Sequence, residues 1–237
     1  MMLNNIDVVI LCGGMGKRLQ SVINDRPKPM AQIGDRSFLD ILIEYIAGFG
    51  LRRFILCAGY KADFISNYYK DKYHDLEIVI SIESEPLGTA GAIKNAQKHI
   101  KSDVFLALNG DSFCEVDLRE FAKFHINKNA FISMVLVDID DISDCGSVEI
   151  NKDMRIISFI EKLLTVKSGL VNGGIYFFNK DILKCIPKGI TYSIEYEIFP
   201  KVLDNGIYGY ISTGKFIDIG TPQRYTQARD YFTKERI

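Results

Sequence analysis

The stretch IDVVILCGGMGKRLQSVINDRPKPM, residues 6–30, places Gly13, Gly14 and Gly16 and the cations Lys17, Arg18 and Lys28 directly behind a short apolar run. Glycine lets backbone N–H groups approach an anion closely, and the carboxyl end of a strand is where open α/β sheets bind ligands. Arg18 offers a planar fork that matches phosphate oxygens and Lys28 a compact charge, while Pro27 and Pro29 fix the backbone on both sides of that lysine. A polyphosphate fits this combination. A tight turn without a ligand explains the glycines but not the braced lysine. Two other phosphate loops fail on spacing. A dinucleotide fingerprint counted from Gly14 meets Leu19 at its third glycine, and no acid ends the second strand; a P-loop needs Ser or Thr where Arg18 stands and a glycine where Leu11 stands.

Two acids are candidates for the opposite charge. Asp111, in LNGDSF, follows an apolar strand and emerges at the same sheet edge as the glycines; Asp218, in FIDIG, is flanked by apolar residues. A charge is costly to bury unpaired, and a cation shared by both acids removes that cost. Few hard oxygen donors, completed by phosphates and water, suit Mg²⁺. The non-catalytic readings are a turn or N-cap for Asp111 and an N-cap-like contact or lysine pair for Asp218.

Apolar runs at 6–11, 53–58, 76–82, 104–108 and 131–137 predict buried strands, and helical spacing predicts helices over 38–49, 62–69, 89–99 and 118–127. Such alternation implies a Rossmann-like, mostly parallel central sheet flanked by helices. From 138 onward the rhythm changes to antiparallel pieces at 147–150, 156–160 and 169–178. Helices are expected at 180–186, 193–203 and 221–232, and short strands at 208–213 and 216–219. No linker-like shift in composition divides the chain, so residues 1–237 read as a single α/β catalytic domain.

The chain has 237 residues, 47% of them hydrophobic, which is enough for a sizeable core. A formal net charge of −1 gives no bulk attraction for nucleic acid or a membrane surface, so any anion site is a local cluster. Five scattered cysteines without a CxxC pair read as reduced thiols, and no span has membrane length, so a cytoplasmic location is expected. Cys12 beside the glycine loop reads as a packing residue or, if exposed, a reactive thiol. A homo-oligomer is compatible with all of this.

LCGGMGKRL…RPKPM resembles the signature of the sugar-1-phosphate nucleotidyltransferases. The resemblance continues in the family's order through EPLGTAGAI (85–93), NGD (109–111), EK (161–162), NGGIYFF (172–178), EYEIFP (195–200) and FIDIGTP (216–222). Cys12 for the usual Ala, Lys17 for Thr, an altered stretch at 20–25 and no Pro after Lys162 depart from it. The resemblance implies the nucleotidyltransferase fold with a small antiparallel sugar-binding portion, and transfer of a nucleoside monophosphate from its triphosphate to a sugar 1-phosphate. It also implies Mg²⁺ on Asp111 and Asp218, catalysis by these acids with Arg18, Lys28 and Lys162, and a nucleotide bound by Leu11, Gly13, Gly14, Gly16, Lys17, Arg18, Glu83, Gly88 and Thr89. The sugar phosphate falls to Asn109, Gly146, Glu161, Lys162, Asn172 and Gly173.

The base reader lies in SIESEPLGTAGAI. Aligned on Gly88, Glu83 is an acceptor-only carboxylate that could take guanine's adjacent N1–H and N2–H₂, whereas uracil, thymine and adenine present acceptors there. Solvent exposure of Glu83, or reading by Glu85, are the alternatives. The small residues Gly88, Thr89, Ala90 and Gly91 read as room for base and ribose against backbone. GTP is therefore the expected donor, and EPLGTAG resembles the guanylyl-transferring branch. The short form with NGGIY and FIDIGTP resembles the guanylyltransferases acting on D-glycero-α-D-manno-heptose 1-phosphate; mannose-1-phosphate guanylyltransferases and uridylyl- or thymidylyl-transferring relatives are the neighbours. Tyr176 alternates as a core residue, while Glu195 and Glu197 line the cleft or belong to a solvated helix face. A glycosyltransferase would use an Asp-x-Asp pair, present only as Asp138-Ile139-Asp140, and a non-catalytic sensor would not need to keep both acids and both cations.

Overall fold

Side chains of the first strand, β1 (Asp7–Leu11), alternate between two apolar clusters, Val8 and Ile10 facing one and Val9 the other, so the strand is buried on both faces. The computed structural model describes residues 3–140, 146–160 and 168–234. A small pair, β2 (Gln32–Ile33) with β3 (Arg36–Ser37), leads into α1 (Phe38–Gly48). A capping box starts that helix: the Asp40 N–H donates to Ser37 Oγ at 3.1 Å, and Asp40 Oδ2 accepts the Ser37 N–H at 2.9 Å. The buried Asp40 carboxylate also accepts from Tyr69 and Lys72, at 2.9 and 2.8 Å. Burial pushes its carboxyl upward, but these donors outweigh burial and hold it below the usual range.

β4 (Arg53–Ala58), α2 (Ala62–Tyr69), β5 (Glu77–Ile82), α3 (Gly88–Asn95) and β6 (Val104–Asn109) continue the alternation. β1 pairs parallel with β4 on one side and with β6 on the other, and β5 extends beyond β4. Strand order therefore reverses between β1 and β6, and their carboxyl ends border the crevice where such sheets take ligands. Next come β7 (Ser112–Cys114), α4 (Leu118–Asn127), β8 (Ile132–Ile139), the antiparallel pair β9 (Ser147–Ile150) and β10 (Ile156–Ile160), and β11 (Gly169–Asn179). The last third holds α5 (Ile182–Cys185), a π-turn (Ile194–Ile198), α6 (Phe199–Lys201), β12 (Ile207–Ser212), β13 (Phe216–Asp218) and α7 (Pro222–Lys234).

The second half does more than wall a cleft. β11 enters the main sheet antiparallel, between β6 and β8, and β12 pairs parallel with β8 on the far side. The expected helix over 193–203 is instead the π-turn followed by three residues of α6. Pro200 cannot donate the backbone N–H that a continuous helix through this position would need. The expected helix over 180–186 shortens to α5. No helix among the described residues is long and apolar enough to cross a membrane.

One histidine makes the fold acid-sensitive. His125 on α4 is buried with Nδ1 2.8 Å from Ser133 Oγ, and burial lowers its pKa to about 4. The unfolded chain takes a proton near pH 6.5 while the folded one does not, so stability is complete above that pH and is lost as pH falls toward 4. Denaturant melts at pH 7 and pH 4.5 should show this loss shrinking by about 2–3 kcal/mol in His125→Gln.

Candidate active site

Each glycine behind β1 is bare for its own reason. A Cβ on Gly13 would lie 2.8 Å from Glu83 Oε1 and 3.3 Å from the Gly59 nitrogen, so Gly13 is where the Glu83 carboxylate rests. Gly16 has φ +58°, and a Cβ there would meet Lys28 Cβ at 2.9 Å, so this glycine both turns the chain and seats the lysine stem. Gly14 has open space around it and is the position at which backbone lies bare to a ligand. A 3-10 turn, Lys17–Leu19, follows; Leu19 is buried and anchors it, while Arg18 stays exposed. Cys12 is fully buried, and burial raises its thiol well above the usual range, so it packs as a small protonated side chain.

Lys28 opens a second 3-10 turn behind Pro27, whose φ of −64° and ψ of 149° are those of extended chain. Its ammonium donates to Asp111 Oδ2 at 2.6 Å, with the lysine side chain 11% exposed and the aspartate 43%. Asp111 therefore keeps open carboxylate surface toward the cleft. Asp218 comes alongside through β13, which pairs with β7 so that Asp218 faces Ser112, and the Ile219 N–H donates to the Asp111 carbonyl at 3.0 Å. Asp218 thus lies on β13 and Asp111 directly before the strand it pairs with, β7. Asp218 Oδ1 accepts the Gly220 N–H at 2.8 Å, and Arg224 Nη1 lies 3.2 Å from Oδ2. Gly220 borders the main cleft, whereas Asp218 lines a neighbouring hollow with Arg224 and Gln227.

The main cleft, about 690 Å³, is lined by Leu11, Gly13, Gly14, Gly16, Arg18 and Lys28 on one side. Glu83, Gly88 and Thr89 line another part, and Asn109 and Asp111 its floor. Sequence reasoning did not single out Gly59, Tyr60 or Gly220, which also line it, as does Pro29 beside Lys28. The first two follow β4 directly, so the rule of carboxyl strand ends was the signal that could have found them. Glu83 Oε2 accepts the Leu87 N–H at 3.2 Å, while its buried Oε1 has no partner among the described residues. Burial raises its carboxyl despite the Leu87 bond. Glu85 also borders the cleft but is exposed.

A Cβ on Gly88 would meet the Tyr192 carbonyl at 2.7 Å, and one on Gly91 the Ile190 carbonyl at 2.8 Å, so chain packs where their side chains would project; Gly88 still borders the cleft, whereas Gly91 is buried and does not. Thr89 Oγ1 is likewise engaged, donating to Glu195 and accepting the Ile194 N–H, both at 2.8 Å.

The predicted sugar residues gather less fully. Asn109 Oδ1 is buried without a partner among the described residues, beside the cleft. Asn172 has a committed amide: its Nδ2 donates to the Tyr176 hydroxyl at 2.7 Å and its Oδ1 accepts the Gly174 N–H at 2.9 Å. Tyr176 itself is fully buried. Gly173 packs on Val135 of β8, and it is Gly174 whose Cβ would reach the Asn109 amide at 3.0 Å. Gly146 is exposed just before β9; it, Asn172 and Gly173 are not among the residues lining the cleft. Glu161, Lys162 and the side chain of Lys17 lie outside the described residues. Asp138 and Ile139 are part of β8, and none of Asp138-Ile139-Asp140 lines the cleft.

A family model described as "Nucleotidyl transferase" matches residues 7–235. A D-glycero-alpha-D-manno-heptose 1-phosphate guanylyltransferase from Aneurinibacillus thermoaerophilus is 39% identical over 225 residues, covering 94% of this chain and 97% of that protein. Mannose-1-phosphate guanylyltransferase from Mycobacterium tuberculosis is 32% identical over 94% of this chain and 64% of its own length. The crystal structure of HddC from Yersinia pseudotuberculosis matches with a TM-score of 0.85 at 38% identity, over 96% of this chain and 99% of that one. A second structure of HddC is a complex with GMP-PN.

Proposed function

The chain belongs to the nucleotidyl transferase family, and from that premise we propose that it transfers GMP from GTP to D-glycero-α-D-manno-heptose 1-phosphate, releasing pyrophosphate. The observation that carries the base is Glu83 Oε1, a carboxylate oxygen buried in the cleft without a partner among the described residues. An acceptor left unpaired in this way costs about 1–3 kcal/mol. Guanine's N1–H and N2–H₂ are two adjacent donors that would satisfy it. The sugar rests on the heptose 1-phosphate guanylyltransferase, which this chain matches over 97% of its length.

In the reaction an oxygen of the sugar phosphate attacks the α-phosphorus in line. A new P–O bond forms as the bond to the β-phosphate breaks, and its electron pair leaves on pyrophosphate. The nucleophile is already an anion, so positioning and charge neutralisation are the enzyme's tasks and no general base is needed. Gly14 offers bare backbone to the triphosphate, Arg18 takes the leaving β,γ-phosphates, and Lys28 offsets repulsion between incoming and resident phosphate. Lys162 is assigned to the sugar phosphate and Glu161 to ring hydroxyls on the family pattern.

Asp111 and Asp218 are the residues that would hold a divalent cation, and their chemistry fits Mg²⁺. They are two hard carboxylates, one on β13 and one just before its partner strand β7, and no cluster of three metal-ligating side chains occurs among the described residues. An ion that keeps water and completes its shell with phosphate oxygens needs no more protein donors. When bound it neutralises charge on the phosphates.

The test is turnover with GTP, ATP, UTP and dTTP, following pyrophosphate. GTP should be preferred, and Glu83→Gln, which turns an amide donor toward guanine's donors, should lower the GTP-to-UTP ratio of kcat/KM about 10²-fold. A wild-type preference for UTP or dTTP would refute the base assignment. A GTP-fixed screen of sugar 1-phosphates should rank the heptose first, and better turnover of mannose 1-phosphate would move the sugar assignment.

A further inference from the structure

Residues 191–195 cross over the loop that carries the cleft's 86–91 segment and are tied to it by six hydrogen bonds. Thr191 Oγ1 donates to the Pro86 carbonyl at 2.7 Å, and the Tyr192 N–H to the Leu87 carbonyl at 2.8 Å. In return the Ala90 and Gly91 N–H groups donate to the Tyr192 carbonyl at 2.9 and 3.1 Å. Thr89 closes the set. Its hydroxyl accepts the Ile194 N–H and donates to Glu195 Oε2, the same oxygen that accepts from Ser193 Oγ at 2.8 Å. Gly88, with φ +70°, and Gly91 are bare so that this crossing segment can lie directly on the loop.

The crossing reaches the base-reading side chain through one peptide unit. The Tyr192 N–H holds the Leu87 carbonyl, and the N–H of Leu87 donates to the Glu83 carboxylate, its one hydrogen-bond donor among the described residues. Glu195 stands at the other end, on the first turn of the π-turn, where a local widening of the helix is common at functional positions. Its carboxylate also raises the buried Tyr176 hydroxyl, burial being the larger cause, so it sits near the Tyr176–Asn172 pair.

Resting on the assignment of Glu83 as base reader, we propose that Glu195 is a positioning residue. Through Thr89 it clamps segment 191–195 onto the Leu87 peptide and so fixes the direction of the Glu83 carboxylate. Its effect falls on nucleotide binding and base choice, not on the phosphoryl transfer step. Glu195 is half-buried and is not among the residues lining the cleft, so the role does not require contact with the nucleotide.

The experiment compares Thr89→Val, Glu195→Ala and Thr89→Ser with the wild type and with Glu83→Gln, recording GTP KM, kcat, the GTP-to-UTP ratio of kcat/KM, and Tm. Valine keeps the shape of Thr89 but makes neither bond, and serine keeps both. Thr89→Val and Glu195→Ala should raise the KM for GTP and lower the base ratio, each about five- to tenfold, with kcat within about threefold of wild type. Thr89→Ser should restore both readouts. A fall in Tm with an unchanged KM and base ratio in both disruptive variants would overturn the proposal, as would a loss that Thr89→Ser does not rescue. Glu83→Gln separates the two readings. If it collapses the base ratio while Thr89→Val and Glu195→Ala do not move it, only the positioning role fails; if it leaves the ratio unchanged, the base assignment fails and this role with it.

Discussion

Lys28→Met should turn over about 10²–10³ times more slowly than the wild type at saturating substrates, a loss of about 2.7–4 kcal/mol of transition-state stabilisation. Methionine isolates the cause. Its unbranched stem keeps the packing against Gly16 and the bracing by Pro27 and Pro29, and only the ammonium 2.6 Å from Asp111 is removed. That ammonium is almost enclosed while its partner carboxylate is partly solvated. Folding should therefore suffer little, because the charge left behind on Asp111 still reaches water. Where two phosphates must approach each other, a fixed cation in an enclosed site is worth far more than at a surface. Asp111→Asn should also be slow, and the double variant should be much less than additively worse, since the two groups act as a unit. Single-turnover kinetics with Tm measured alongside decide the matter: a Lys28→Met enzyme within threefold of the wild-type rate would remove the lysine from the chemistry.

The half of the site legible in the sequence is the half written locally. Buried runs at β1, β4 and β6 state their own burial, whereas the run expected to be buried at β5 ends the sheet and is only partly covered; the glycines and Asp111 follow closely on strands whose ends define the crevice. What could not be read depends on pairings between distant segments. β7 and β13 are three residues each, too short to show a pattern, yet their register sets Asp218 beside Asp111. β11 looks in sequence like any antiparallel piece, and nothing local says that it enters the main sheet between β6 and β8. Small residues mislead in the same way. GTAG looks like space for a ligand because a sequence shows only that side chains are absent. The backbone of 190–192, about a hundred residues away, lies where side chains on Gly88 and Gly91 would project, and of these two only Gly88 borders the cleft. The sequence pointed to Gly173, but across the irregularity in β11 between Asn172 and Tyr176 it is Gly174 that lies against Asn109.

Gly110 shows how far such a close approach can reach, and Gly110→Ala should be among the most damaging single-methyl additions in the molecule. A Cβ there would lie 2.6 Å from the Leu11 carbonyl oxygen, 3.2 Å from Pro29 Cγ and 3.3 Å from Cys12 Sγ. The nearest of these is backbone of β1 and cannot rotate away. The Gly110 N–H also donates to that same carbonyl at 3.0 Å, so relief means parting β1 from β6 at their carboxyl ends. Those ends carry Gly13 on one strand and Asn109 and Asp111 on the other, with Pro29 adjoining Lys28. Overpacking of this kind costs about 1–3 kcal/mol of stability. The larger consequence is geometric, because a displacement near 1 Å between the phosphate loop and Asp111 is enough for about 10²-fold in kcat/KM. Gly48→Ala is the control: its Cβ would meet nothing within 4 Å, on the exposed face at the end of α1, and alanine there should be neutral or stabilise by up to about 1 kcal/mol. Chemical denaturation and steady-state rates on the two variants separate the cases. Wild-type activity in Gly110→Ala would mean that the ends of β1 and β6 move apart without cost, and that their spacing does not set the position of Asp111 against the loop.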